Sequence, residues 1–336
     1  MNLLSSNEDP HDLEEVMDLI EPDQTRAAVS LPIDLPTERR NPRTLDVDTL
    51  TTIEVLNRIN AEDATVAAAV ARVLPQIALL ADLAVGSLRT EGTVHYFGAG
   101  TSGRLGFIDA AELPPTYGTP PDWVVAHHAG GTEALSRAIE GVEDDMLLGA
   151  RDAATVVAGD VAIGIAASGT TPYVVGALRA ATAQGAHTGL ISANPTTWFG
   201  AEVDVHIGLD TGPEVISGST RMKAGTATKM VLNAFSTTVM VQLGRTYSNL
   251  MVSVNALNSK LRLRLIRILV EATGLDARTC EHALADAGGD TRVALITLLC
   301  NSTPAQAVNA LAETRGAVRE AMHLLSDPQE RYGLSS

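Results

Sequence analysis

Aromatic residues are scarce in this chain, only 3% of 336 positions, although hydrophobic residues reach 45%. A core must therefore be assembled from Ala, Val, Leu and Ile, which suits an α/β protein better than a β-sandwich. Cysteine is nearly missing. Cys280 and Cys300 are the only two; they build no disulfide framework and point to a reducing compartment. Positive charge is also short: 24 Lys and Arg stand against 40 Asp and Glu, a net of −16. That balance argues against nucleic acid or an anionic membrane as the main partner. Residues 1–30 hold eight of the acids and one Arg, a net of −7 that leaves −9 for the rest. The eight histidines lack metal-ligand spacing, and adjacent His127 and His128 would point to opposite faces of a strand. The acidic N-terminus does not resemble a signal peptide. No long apolar run is free of polar groups: the most apolar stretch, Ala224 to Leu243, carries Lys229, Asn233, Ser236 and several Thr. It reads as a buried helix and not as a membrane span. The expectation is a soluble, cytoplasmic, metal-free protein, long enough for one large domain or two ordinary ones.

What is present has a clear order. Residues 1–30 are expected to form a mobile acidic tail, with Leu13, Val16, Met17 and Ile20 at helical spacing inside it. Residues 31–88 form an N-terminal helical segment, entered through the polar run Thr37-Glu38-Arg39-Arg40-Asn41-Pro42. Over 89–250, five short β-branched or apolar runs alternate with helical patterns: 93–97, 123–127, 161–166, 187–192 and 203–209. The helical stretches between them are 104–112, 133–139 and 172–184. Strand, helix, strand at this rhythm predicts a doubly wound, five-stranded parallel sheet, with ligands at the carboxyl ends of its strands. After Leu209 the strands stop. Helical patterns follow at 225–248, 250–271, 276–286, 290–300 and 304–325, and residues 251–330 are assigned to a C-terminal helical module.

Three loops share one chemistry, a glycine set among hydroxyls: Gly98-Ala-Gly100-Thr101-Ser102-Gly103, Ser168-Gly169-Thr170-Thr171 and Ser217-Gly218-Ser219-Thr220. Glycine lets the backbone turn closely around a ligand, while hydroxyls and helix-start N–H groups donate to an anion. The first loop fits the dinucleotide fingerprint literally. The run after it ends Val-Ala-His127-His128, however, without the acid that would hold a ribose, and Thr101-Ser102 is polar for a pyrophosphate turn. Thr171-Pro172 reads as an N-cap followed by proline at the first helical position. The third loop runs into Arg221 and Lys223, so one of these cations is expected to serve the ligand. Together the loops predict a site for a small phosphorylated molecule.

Two carboxylates stand out. Glu112 closes the helical stretch that begins at the first loop, immediately before Leu113-Pro114-Pro115. A carboxylate at a helix C-terminus faces the negative end of the dipole, which favours holding a proton. Glu143 lies in Glu140-Gly-Val-Glu143-Asp144-Asp145, where crowded like charges act in the same direction. Each also has a plainer reading as solvated surface acid.

The blocks His95-Tyr-Phe-Gly-Ala-Gly-Thr-Ser-Gly-Arg-Leu-Gly and Asp109-Ala-Ala-Glu-Leu-Pro-Pro-Thr-Tyr-Gly resemble the N-acetylmuramic acid 6-phosphate etherase family. So do Ala129-Gly-Gly, Glu140-Gly-Val-Glu-Asp-Asp, Ala167-Ser-Gly-Thr-Thr-Pro-Tyr and the run from Pro213 to Lys229. The likeness extends from Thr37 to the C-terminal helices and leaves out the acidic first thirty residues. It implies a sugar isomerase (SIS) phosphosugar-binding domain, a following helical module and a homodimer. The family cleaves the C3 lactyl ether of N-acetylmuramic acid 6-phosphate with water, giving N-acetylglucosamine 6-phosphate and D-lactate, without cofactor or metal. Glu112 is similar to its proton donor and Glu143 to its second acid/base residue. Gly100, Thr101 and Ser102, Ser168 to Thr171, and Ser217, Ser219, Thr220 and Lys223 are then expected to hold the phosphosugar. Two other readings share the fold: a non-catalytic phosphosugar sensor resembling the glucokinase regulatory protein, and an aldose–ketose phosphosugar isomerase. The presence of both glutamates and a single copy of the domain weigh against the sensor.

Overall fold

The computed structural model describes residues 35–137, 139–253 and 259–326. The expected mobile tail over 1–30 lies outside the described residues, as do 254–258 within the expected 250–271 helix. The chain forms two compact units interleaved along the sequence. One takes in Met1–Leu79, Val94–Phe107 and Ala126–Val231; the other takes in Leu80–Thr93, Ile108–Val125 and Leu232–Ser336.

In chain order the described residues begin with helices α1 (Thr52–Asp63), α2 (Val66–Ala71) and α3 (Leu74–Arg89). Strand β1 (Val94–Gly98), helix α4 (Gly100–Tyr117), strand β2 (Val124–His128) and helices α5 (Glu133–Ser136) and α6 (Met146–Asp152) follow. Next come β3 (Val161–Ile165), α7 (Pro172–Ala183), β4 (His187–Ser192), β5 (Val205–Gly208) and α8 (Lys223–Gln242). The remaining helices are α9 (Ser259–Thr273), α10 (Ala277–Asp286), α11 (Thr291–Cys300), α12 (Pro304–Glu313) and α13 (Val318–Ser326).

The five strands fall where the β-branched runs predict them and form one parallel sheet in the order β2-β1-β3-β4-β5. The order reverses between β1 and β3, so the loops leaving those two strands diverge at the switch point of the sheet, the place where such folds leave a crevice. β1 and β3 are buried along their whole length, as strands covered on both faces must be. The core against this sheet is poor in rings: Ala177, Ala180, Ala181, Val174 and Leu178 of α7 pack around Phe97, Tyr173 and Phe199. In the second unit Leu265, Leu269, Cys280, Leu284, Leu295, Ile296 and Leu311 form a separate helical core. Asp276, Asp290 and Thr303 cap the helices that follow them.

Several helical expectations need correction: the stretches expected over 133–139 and 225–248 end at Ser136 and Gln242, and residues 250–253 of the one expected over 250–271 are not helical. The stretch expected over 304–325 is two helices, because Arg315 and Gly316 take positive φ (51° and 86°) and end α12. The stretch expected to stop at Glu112 runs on to Tyr117 through Pro114 and Pro115. The prolines deprive the Ala110 and Ala111 carbonyls of their helical donors. The helix nevertheless closes, with Gly118 N–H donating to the Pro114 carbonyl at 2.9 Å. Glu112 therefore stands before the last turn, outside the reach of the dipole end invoked for it. Among the described residues no single helix is long and apolar enough to cross a membrane.

Helices α6 and α7 meet backbone to backbone. A Cβ on Gly149 would collide with the Tyr173 carbonyl, and one on Gly176 with the Met146 carbonyl. On an open helix face, Gly→Ala gains up to about 1 kcal/mol from helix propensity. Here the collision reverses the sign: Gly149→Ala and Gly176→Ala should each cost about 1–3 kcal/mol, read as a lower denaturant midpoint.

A second constraint ties α1 to α8. Lys223 is 1% exposed, and its Nζ lies 2.7 Å from Glu62 Oε2. The Arg43 guanidinium closes on the same carboxylate through Nε and, at 2.8 Å, through Nη2. The Arg43 hydrogen bond, aided by Lys223, holds the Glu62 carboxyl down to about 2. A carboxyl depressed in the folded state stabilises the fold fully above its unfolded value and loses that contribution as pH falls toward 2. Unfolding free energy should therefore drop between about pH 4.5 and 2. Glu62→Gln should flatten that part of the profile; an unchanged acid limb in the variant argues against the ion pair.

Candidate active site

The first hydroxyl loop is made by close approach. β1 ends at Gly98, and α4 begins at Gly100, which takes φ +53°. A Cβ on Gly103 would strike the Gly98 carbonyl and stand 2.6 Å from the His128 ring, so only glycine lets the helix start fold onto the strand end. His128, from β2, braces this turn, with Nε2 3.1 Å from the Gly100 carbonyl oxygen and Nδ1 2.8 Å from that of Ala129. His127 takes the opposite face and stacks on Phe97, the ring centroids 4.5 Å apart. Burial, with His95 alongside, pulls the His127 imidazole down to about 4 and keeps it neutral.

The second loop follows β3. Gly169 takes φ +76°, and its carbonyl accepts from Thr197 Oγ1 at 3.1 Å. Asn194 Nδ2 donates to the Ser168 carbonyl at 3.1 Å, and Thr170 N–H donates to Ser168 Oγ at 3.1 Å. Thr171 and Pro172 occupy the N-cap and first helical positions as expected, but the Thr171 side chain makes no capping bond. The Thr171 hydroxyl and the first-turn N–H groups of α7 are thus not spent on each other.

The third loop is held differently. Gly218 N–H donates to the Thr37 carbonyl at 3.0 Å, and Ser217 Oγ donates to the Glu38 carbonyl at 2.6 Å. Asn41 Nδ2 reaches the Pro213 carbonyl and Thr44 Oγ1 the Val215 carbonyl, at 3.2 and 2.8 Å. Glu214 is fully buried and accepts the Lys223 and Ala224 N–H groups, each at 2.9 Å. Burial pushes its carboxyl up from the ordinary value against those bonds. The start of α8 is therefore already occupied by a carboxylate of the protein itself, unlike the starts of α4 and α7.

These pieces enclose a cavity of about 240 Å³ in the first unit. Gly100, Thr101, Ser102, Glu143, Ser168, Thr171 and Thr220 of the expected set line it. Gly169, Thr170, Ser217, Ser219 and Lys223 do not. The Ser217 hydroxyl is committed to Glu38, and Gly169 and Thr170 shape the turn beneath Ser168. The Lys223 ammonium is committed to Glu62, so the ligand role expected of it gives way to a structural one. Arg221 is exposed and does not line the cavity either.

Glu143 arrives through a short 3-10 turn, Val142–Asp144, that opens at Gly141 with φ +79°. The next residue, Asp145, is spent on capping α6, its carboxylate accepting Leu148 N–H at 2.9 Å. Since α6 is locked against α7 by the two glycine contacts, the turn carrying Glu143 is registered to the helix start that carries Thr171. Glu112 is exposed on α4 in the second unit. Thr37, Glu38, Gly225 and Thr228 also line the cavity and were not anticipated. Thr37 and Glu38 are fastened there by bonds to residues far away in sequence, 179 residues for Ser217 and Glu38, so no local pattern exposes them. The lining carries two carboxylates, Glu38 and Glu143, and no Lys, Arg or His. Among the described residues no group of three or more His, Cys, Asp or Glu is placed to hold a metal ion.

The family model for the glucokinase regulatory protein N-terminal SIS domain matches residues 76–182. A phosphoheptose isomerase from Francisella tularensis superposes with a TM-score of 0.46 at 15% identity, over 57% of this chain and all of that one. An N-acetylmuramic acid 6-phosphate etherase from Thermobifida fusca is 62% identical over 264 residues, 79% of this chain and 87% of the relative. One from Pectobacterium atrosepticum is 49% identical over 290 residues, 86% of this chain and 96% of the relative. One from Halalkalibacterium halodurans is 46% identical over 294 residues, 87% and 99% respectively. Likeness of this degree over most of both chains makes this chain a member of the N-acetylmuramic acid 6-phosphate etherase family.

Proposed function

We propose that this protein cleaves the C3 lactyl ether of N-acetylmuramic acid 6-phosphate with water, releasing N-acetylglucosamine 6-phosphate and D-lactate. The observation that carries this reading is the cavity: Glu143 shares it with the hydroxyls and helix starts of the first two loops. The 6-phosphate is assigned to the α4 and α7 starts, where N–H groups and the hydroxyls of Thr101, Ser102, Ser168 and Thr171 converge. Thr220 faces the same space. Two helix starts and several hydroxyls replace the cation that an acidic chain of this kind does not place there.

Opening of the sugar ring exposes an aldehyde at C1 and makes the C2 proton removable. Glu143 takes that proton. The electron pair forms the C2–C3 double bond as the C3–O bond breaks, and protonated Glu112 gives its proton to the departing lactate oxygen. Water then adds to C3 of the unsaturated aldehyde, losing a proton to Glu112, while Glu143 returns a proton to C2. Each glutamate ends in its starting state. Holding Glu143 and the open chain in one geometry supplies much of the rate. We further propose that the protein works as a homodimer in the cytoplasm.

Lactate release from N-acetylmuramic acid 6-phosphate by the purified protein tests the activity directly. A phosphosugar sensor or an aldose–ketose isomerase releases none. Glu112→Gln and Glu143→Gln should each lower turnover by about 10²–10⁴-fold with the fold intact, and near-normal release by either variant removes that residue from the mechanism. In deuterated water the product should carry deuterium at C2; unlabelled product rules out elimination and re-addition. Sedimentation equilibrium should give twice the 35.2 kDa chain mass, and a monomer at working concentration contradicts the dimer.

A further inference from the structure

Glu38 is the charged residue of the cavity for which the reaction above has no use. It sits in the polar run Thr37 to Pro42, ahead of the first helix, and its main chain is fastened beside the third hydroxyl loop. The Thr37 carbonyl takes Gly218 N–H, and its own carbonyl takes Ser217 Oγ. These bonds leave the carboxylate free to face the cavity, which it lines. It is pressed close to Gly218: a Cβ there would stand 2.8 Å from Oε2 and 3.5 Å from Oε1. Gly218 takes φ +76°, so the turn favours a residue without a side chain.

Among the described residues no cation pairs with this carboxylate and no hydrogen-bond donor is spent on it. An unpaired carboxylate is an odd neighbour for a phosphorylated ligand. Like charges a few ångströms apart repel. Glu38 therefore cannot serve the phosphate end of the ligand or the lactyl carboxylate. A carboxylate only accepts hydrogen bonds, so what it can serve is a neutral donor, and a sugar offers hydroxyls and an acetamido N–H.

We propose that Glu38 is a substrate-contacting residue that accepts hydrogen bonds from neutral donor groups of the bound sugar and so marks the sugar end of the cavity, opposite the phosphate. This rests on the reading of the cavity as a phosphosugar site. It gives that reading a polarity: donors of the α4 and α7 starts at one end, an acceptor at the other. An anion bound in the wrong sense would meet Glu38 and be turned away.

Calorimetric titration separates the two ends without relying on turnover. The probes are N-acetylglucosamine 6-phosphate, glucose 6-phosphate and inorganic phosphate, against the full-length protein. The bonds that fasten residue 38 use its main chain, so Glu38→Ala should fold as the parent does, and Glu38→Gln serves as the isosteric control. In Glu38→Ala the Kd for N-acetylglucosamine 6-phosphate should rise about tenfold or more, the loss expected for a hydrogen bond to a charged group. Glu38→Gln should rise less. The Kd for inorganic phosphate should stay the same or fall, since a repelling charge has gone. If the effect vanishes with glucose 6-phosphate, the donor is the acetamido N–H; if it persists, a hydroxyl of the sugar can serve as the donor. Equal sugar-phosphate binding by parent and Glu38→Ala overturns the inference while leaving the phosphosugar reading in place. Weakening of all three probes in parallel also overturns it, because Glu38 would then act only through the third loop. A parent protein that binds none of the probes sinks the phosphosugar reading itself.

Discussion

One buried ammonium organises the rim of the cavity. Lys223 stands at the first position of α8, and Glu62 comes from α1, 161 residues earlier. Removing both charges from water is expensive, and their attraction repays the cost only when further groups complete the geometry. Here Arg43 grips the Glu62 carboxylate from its open side, and Glu214 caps the two N–H groups at the start of α8. The pair is therefore less a source of net stability than a register. It allows one placement of the 213–223 segment relative to α1. That placement lets residues 37–44 lie along 213–218 through four hydrogen bonds.

The consequence for binding is a division of labour among three helix starts. α8 spends its first N–H groups on Glu214 and its lysine on Glu62, so it contributes walls and hydroxyls to the cavity and little positive field. α4 and α7 keep their starts uncapped by side chains. In the reading proposed above, a chain with a net charge of −16 holds an anion without a cation in the cavity lining, because helix-start dipoles act at short range where the overall field does not compete.

Glycine does a second kind of work here, through packing. Gly149 and Gly176 let α6 and α7 touch main chain to main chain, and the turn with Glu143 is the direct N-terminal extension of α6. Glu143 is thereby registered, through α6, to the helix whose N-cap Thr171 lines the same cavity. A rigid helix directly after a short turn holds it more precisely than a free loop would.

Much of this was legible in the sequence because it is local. Alternating β-branched runs and helical stretches determine the five strands, and glycine among hydroxyls after β1 and β3 determines two turns that line the cavity. The motif blocks around Glu112 and Glu143 determine the family. What tertiary structure decided is which of those groups meet. Lys223 beside a hydroxyl loop looks like a ligand for phosphate, and only a carboxylate 161 residues away makes it a structural cation. Glu112 before two prolines looks like a helix end, and only the closing bond at Gly118 carries the helix past it. Glu38 looks like one acid in a polar run, and only its pairing with a loop 179 residues later puts it in the cavity. Helix and strand patterns are written in spacings of two to four residues, whereas burial and charge pairing depend on contacts between segments that local spacing does not encode.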